Sequence, residues 1–224
     1  MPMLGSLRHG LHVQRVSVLL LAAVVSACAS RPPGPTPPQQ SHVTRAGVGA
    51  HGAVNAAAAR AERMRALLKS GVVPLRRHAL PDYLKGLDAR LRASVAGNTA
   101  DIARVDGSLI VVFPARALFT ADAVELTAAG EKSLATISEV LRNEHALLVE
   151  AACHTDRLGV PADNEAFTQR RADLVRDTLA AHGLDASHIV AVGSGDRYPV
   201  ADNATEDGRR TNRRVELTLL PIVR

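Results

Sequence analysis

Four short apolar runs, each six to eight residues long, constrain this chain more than its overall composition does. They are SLIVVF (108–113), ALLVEAAC (146–153), HIVAVG (188–193) and RRVELTLL (213–220), and in the last Val215, Leu217 and Leu219 alternate. Runs of this length suit strands, not helices. The longer segments between them carry helical spacing: residues 126–141 bring Leu126, Leu134, Ile137 and Leu141 to one face with Thr127 as a candidate N-cap, and residues 163–182 carry a stripe of Phe167, Leu174, Val175 and Leu179. Upstream, residues 101–105 precede Asp106-Gly107, a pair suited to a tight hairpin turn into SLIVVF. Helical segments between strands imply right-handed crossovers with helices packed on a sheet. The opening hairpin makes that sheet mixed.

Before this alternation lie two further helical stretches. Residues 55–70 are Ala-rich, place Met64, Leu67 and Leu68 at helical spacing and stop at Gly71; residues 82–95 align Tyr83, Leu84, Leu87 and Leu91. Packing or a partner surface is the default reading of both. The first 27 residues read differently, with Arg8, Arg15 and no acid ahead of an apolar run at 16–25 that is too short to span a bilayer. Val25-Ser26-Ala27-Cys28 then resembles the bacterial lipobox, which implies cleavage before Cys28 and acylation of that cysteine, with Ala29 in the next position implying sorting to the outer membrane. Several acyl chains give stable anchoring where one gives only marginal binding. Ala29 to Ser41 contains five prolines and no large apolar side chain, the composition of an extended tether. The expected organisation is a signal peptide at 1–27, a lipidated cysteine and tether at 28–54, a helical region at 55–95 and a folded domain at 96–224.

Charge and cysteine content narrow the function. Removing residues 1–27 leaves 25 basic against 22 acidic residues, so the formal +5 falls to +3. The basic residues are scattered among acids, and three Phe, two Tyr and no Trp cannot supply the stacking platforms of a nucleic-acid surface, so no nucleic acid is expected as a partner. With Cys28 lipidated, Cys153 has no disulfide partner and reads as a small buried hydrophobe.

The segments LFTADAVELTAAG (118–130), ACHTDRLG (152–159), NEAFTQRRA (164–172) and GRRTNRRVEL (208–217) resemble, in order and spacing, the OmpA-like C-terminal domain shared by OmpA, the peptidoglycan-associated lipoprotein and MotB. The resemblance covers about residues 101–220. It implies an α/β (α+β) sandwich of β-α-β-α-β type with a mixed sheet and helices on one face, here preceded by the N-terminal helical region. It also implies non-covalent binding of peptidoglycan through meso-diaminopimelate. Carried over by position, the ligand residues are Asp156, Thr155, Asn164 and Arg171, with Phe119 lining the pocket beside Thr120, where many members have aspartate. Cys153 stands where the family usually has glycine.

The residues support this reading independently. Asp156 follows the carboxyl end of a strand, where open α/β sheets place ligands. Asn164 and Arg171 are seven apart and share a helical face. A carboxylate and a guanidinium match the ammonium and carboxylate of the free diaminopimelate tip, and the planar guanidinium can grip a carboxylate with two parallel bonds. Taken singly, Asp156 equally suits a turn, Asn164 a helix start and Arg171 a solvated face; Asn212 and Arg213 suit bracing of the last strand and its loop. An enzyme is the first rival, but Glu150 and His154 share a strand face that Cys153 does not, and neither a G-x-S-x-G motif nor a second ligand cluster is present, so no catalysis, cofactor or metal is expected. The second rival is an envelope scaffold in which the helical region binds another envelope protein and the domain binds no ligand.

Overall fold

The computed structural model describes residues 54–95, 100–121 and 123–224, so the leader, Cys28 and the proline-rich segment lie outside the described residues. Five strands form one sheet: β1 (Asp101–Val105), β2 (Ser108–Pro114), β3 (Leu147–His154), β4 (Ile189–Gly195) and β5 (Arg214–Pro221), in the order β1-β2-β5-β3-β4. Only β3 and β4 run parallel, and the sheet is therefore mixed as expected. The β1–β2 turn has Asp106 at φ 45° and Gly107 at φ 79°, the two positive values that a two-residue hairpin of matching twist requires.

Among the described residues six α-helices order these strands into layers. α1 (Val54–Lys69) and α2 (Leu80–Ser94) precede the sheet; α3 (Ala115–Leu118) and α4 (Ala128–Leu141) join β2 to β3; α5 (Pro161–Ala181) is the β3–β4 crossover; and α6 (Glu206–Asn212) precedes β5. The main core lies on one face of the sheet. It joins Leu109, Val111 and Phe113 of β2, Val149, Ala151 and Cys153 of β3 and Val215, Leu217 and Leu219 of β5 to Leu134, Ile137 and Leu141 of α4 and Ala172, Val175 and Leu179 of α5. α2 adds Leu84, Leu87 and Leu91 to this same core. On the other face α1 sets Ala56 and Leu67 against Leu148, Ala152, Val190, Val192 and Ile222. That second layer explains why β3 is buried along its whole length: helices cover both of its faces. Both cores fall within the unit Ser41–Arg224, which thus holds the buried surface an independent fold needs.

Two sequence expectations shift in detail. α4 starts at Ala128 because the Thr127 hydroxyl accepts the Gly130 amide, which leaves Leu126 outside the helix in a bridge to Phe119. On α5 the buried line is Thr168, Arg171, Ala172, Val175 and Leu179, while Phe167 and Leu174 are only partly covered. The cause is the close seat of α5 on β4: a Cβ on Gly193 would stand 2.4 Å from the Gln169 amide nitrogen, so the contact line passes through small and polar side chains.

Candidate functional site

The carboxyl ends of β3 and β4 build one side of the site. The Thr155 amide donates to the Gly195 carbonyl at 2.9 Å, carrying the pairing one residue past β3 and fixing where the chain turns. Asp156 follows, buried to 4% exposure. Its Oδ1 accepts the Leu158 amide at 2.9 Å, an Asx turn that starts the descent into α5, and its Oδ2 is ion-paired with Arg213. Gly159 at φ 95° and Pro161 in the first turn of α5 complete the corner. Asn164 reaches back with Nδ2 3.5 Å from the Asp156 carbonyl oxygen, and one turn on the Thr168 hydroxyl accepts the Gly195 amide at 2.9 Å.

Two turns along α5, Arg171 builds the other side. Its guanidinium carbon lies 4.5 Å from the Phe119 ring centroid and 4.3 Å from that of Phe167, so the planar group sits between two phenyl faces. Nε and Nη2 both donate to the Ala123 carbonyl, at 2.9 and 2.7 Å. Phe119 itself begins a short loop closed by its bridge to Leu126 and by the Thr120 amide donating to Glu125 at 2.9 Å; the Thr120 hydroxyl lies 3.4 Å from that same carbonyl. Arg171 thus fastens this loop to α5 and is held in one orientation, with only 6% of the residue exposed.

The structure therefore joins Phe119, Thr120 and Arg171 around the 119–126 loop, and Thr155, Asp156 and Asn164 around the β3 corner. The seven-residue step from Asn164 to Arg171 rises about 10 Å along the helix. Three groups at the site were not singled out for it in the sequence. Arg213 does not only brace the last strand: it bridges Asp156 and Glu206, the latter at 2.9 Å. Asn212 does brace the loop, accepting the Val200 and Ala201 amides. Phe167, one turn before Arg171, is the second slice of the guanidinium sandwich, and its i, i+4 spacing was the signal available for it. The Ala123 carbonyl carries no side-chain signal at all.

Glu150 and His154 lie on the opposite face of β3, away from these residues. Arg60 of α1 approaches Glu150 at 3.3 Å, and Glu216, paired with Arg214 at 2.7 Å, lies 4.0 Å from His154. Burial, with Arg214 and Arg197 nearby, holds the His154 pKa well below its ordinary value, so the imidazole is packed in its neutral form. Cys153 points into the main core, and burial pushes its thiol up to about 12. Among the described residues no group of three His, Cys, Asp or Glu side chains could hold a metal ion, and no helix is long and apolar enough to cross a membrane.

This sheet, with the α5 crossover and the corner at Asp156, is the architecture of an OmpA family domain, and residues 118–213 match that family. A solved structure described as the cell wall anchor of the T6SS from Pseudomonas aeruginosa shares the fold, with a TM-score of 0.52 and 30% identity over 59% of this chain and 96% of that one. The probable lipoprotein YiaD of Escherichia coli (strain K12) is 33% identical over 140 residues, which are 62% of this chain and 64% of that protein, so the chain spans less than two thirds of this relative's length. The peptidoglycan-binding protein ArfA of Mycobacterium bovis is 42% identical over 66 residues, 30% of this chain and 20% of that protein.

Proposed function

We propose that this chain is an outer-membrane lipoprotein, anchored through Cys28, whose OmpA family domain in the periplasm binds peptidoglycan non-covalently through meso-diaminopimelate. The observation that carries this reading is the Arg171 guanidinium, immobilised between Phe119 and Phe167 and tied to the Ala123 carbonyl on the helix that also approaches Asp156 through Asn164. A guanidinium ordered before the ligand arrives loses little side-chain entropy when it grips a carboxylate. At the other end, the ligand ammonium takes the place of Arg213 on Asp156. Arg213 can yield because its side chain is 33% exposed and keeps Glu206 as a second partner. Thr155, Asn164, Phe119 and Thr120 shape the wall between the two charges. The names of ArfA and of the cell wall anchor support the same ligand class. The scaffold alternative has less behind it, since α1 and α2 spend their buried side chains on the sheet itself.

Sedimentation of residues 54–224 with purified sacculi tests the proposal. Charge-assisted hydrogen bonds contribute about 1.5–3 kcal/mol each, so Asp156→Ala or Arg171→Ala should weaken binding about tenfold or more. Sacculi carrying lysine in place of diaminopimelate should bind poorly, because they offer no carboxylate to Arg171. Unchanged co-sedimentation of both folded variants would overturn the reading.

A further inference from the structure

The residues assigned to peptidoglycan all gather at one end of the sheet, where β3 and β4 finish and β5 begins. The opposite end has a different character. There the segment after α1 is stitched to the chain beyond β5: the Leu75 amide donates to Ile222, the Arg224 amide donates to Leu75, and Leu75 pairs with Val223. This pairing gathers the side chains of Arg76, Arg77, His78 and Arg224 around a shallow concavity of about 720 Å³. Among the described residues no Asp or Glu side chain lines it. Among the described residues none of these three guanidiniums enters an ion pair, a state shared by Arg63, Arg65, Arg104, Arg116, Arg142 and Arg170, but here three such charges share one concavity. Of the acids near this end, Glu144 pairs with Arg90 and Asp185 accepts the Ser187 amide, while Asp82 in the first turn of α2 and Asp106 in the hairpin turn lie outside the concavity.

Around the unpaired charges stand aliphatic side chains turned to solvent. Val73 is 73% exposed, Leu68 43% and Val223 37%, and these are three of the five large exposed hydrophobics among the described residues. Val73 sits in the same short connection as Arg76 to His78, and Val223 is next to Arg224. Cations interleaved with exposed aliphatics, and with no aromatic side chain for stacking, fit a bilayer interface whose phosphates meet the guanidiniums while the aliphatics enter the headgroup boundary. A purely anionic polymer would leave Val73 in water.

We propose that this end of the domain is a docking surface for a bilayer bearing anionic phospholipids. Along β5 the start at Arg214 and the end at Pro221 lie about 24 Å apart, so the membrane-facing and ligand-facing ends are opposite poles of one sheet. The domain can therefore lie against a membrane with Asp156 and Arg171 directed away from it. This orientation adds to the proposed wall binding but does not depend on it, since the two ends share no residue.

The test uses the unit Ser41–Arg224, which lacks Cys28 and its leader and holds both cores, mixed with vesicles of phosphatidylcholine alone or with about a third phosphatidylglycerol. Each guanidinium near an anionic surface contributes about fivefold in partitioning, so the Arg76→Glu/Arg77→Glu double variant should lose on the order of tenfold or more, as should the native chain in high salt. Val73→Asp should weaken binding as well, and all variants should melt as the native chain does, because every substituted side chain is exposed. Asp156→Ala should leave vesicle binding unchanged and the double variant should leave sacculus binding unchanged, which separates failure at one pole from failure at the other. Equal binding to both vesicle types, native binding by the double variant, or loss of sacculus binding in the double variant with vesicles unaffected would overturn the proposal.

Discussion

At the scale of single residues, the buried guanidinium of Arg171 on α5 and the buried imidazole of His154 on β3 follow opposite physical rules. Arg171 stays charged inside the fold because aromatic faces and a carbonyl replace its water. His154, equally buried, has neither ring nitrogen hydrogen-bonded, and burial together with Arg214 and Arg197 keeps it neutral. A histidine whose pKa is lowered on folding takes up its proton only when the chain unfolds. Stability should therefore be intact above the unfolded value of about 6.5 and fall as pH drops below it, by at most about 1.4 kcal/mol per pH unit. Glu150 has the opposite linkage, since burial raises its pKa and stability is lost as pH climbs from the unfolded carboxyl value through the folded one. Urea unfolding at pH 7 and pH 5.5 reads the histidine term: the native chain should be weaker at the lower pH, and His154→Phe should flatten that difference. A slope untouched by the substitution would assign it to another group.

At the scale of elements, the seat of α5 on β4 decides whether the site's side chains meet. Gly193 admits the α5 backbone at a distance no Cβ tolerates, 2.4 Å to the Gln169 nitrogen and 2.6 Å to its Cα. Gly193→Ala should push the helix outward, disturb the Thr168–Gly195 bond and cost about 1–3 kcal/mol or more in stability, with weaker sacculus binding as Asn164 and Arg171 move. Gly86→Ala on α2 is the control, for nothing lies within 4 Å of its added carbon and a helical alanine should stabilise by about 0.5–1 kcal/mol. Thermal melts of the two variants should shift in opposite directions. The same contact shows what was legible from sequence. Strands β2, β3, β4 and β5, the hairpin turn and the Thr127 cap could be read because each rests on local chemistry: apolar runs, Asp-Gly, a hydroxyl before a helix. The residues of the proposed site were legible through motif spacing, as with Asp156 and Arg171. The inward rotation of α5 toward Thr168 and Arg171 was not, because it is set by a glycine on a strand that lies more than twenty residues away in the chain. Arg213 escaped for a similar reason: its pairing with Asp156 spans 57 residues and exists only once β5 lies beside β3.

At the scale of the whole molecule, the helical region ahead of the sheet is part of its stability. Leu84, Leu87 and Leu91 of α2 are each 0% exposed and pack into the main core beside α4. Fully burying a leucine contributes about 1.5–3 kcal/mol, so deleting α2 should remove about 4–9 kcal/mol, against a typical total of about 5–15 kcal/mol for a domain. A fragment of residues 96–224 would also leave Leu148, Ala152, Val190 and Val192 without the cover of α1. It should melt far below residues 54–224 or aggregate, and its sacculus binding should fail through unfolding, with no loss of a ligand contact. Leu87→Ala in the longer chain separates the two causes. It should cost about 2–5 kcal/mol while leaving sacculus affinity native at low temperature, because the cavity lies in the core and not at Asp156 or Arg171. Circular dichroism melts of both fragments decide the matter: transitions within a few degrees of each other would show that α2 contributes little and that the sheet closes its core without it.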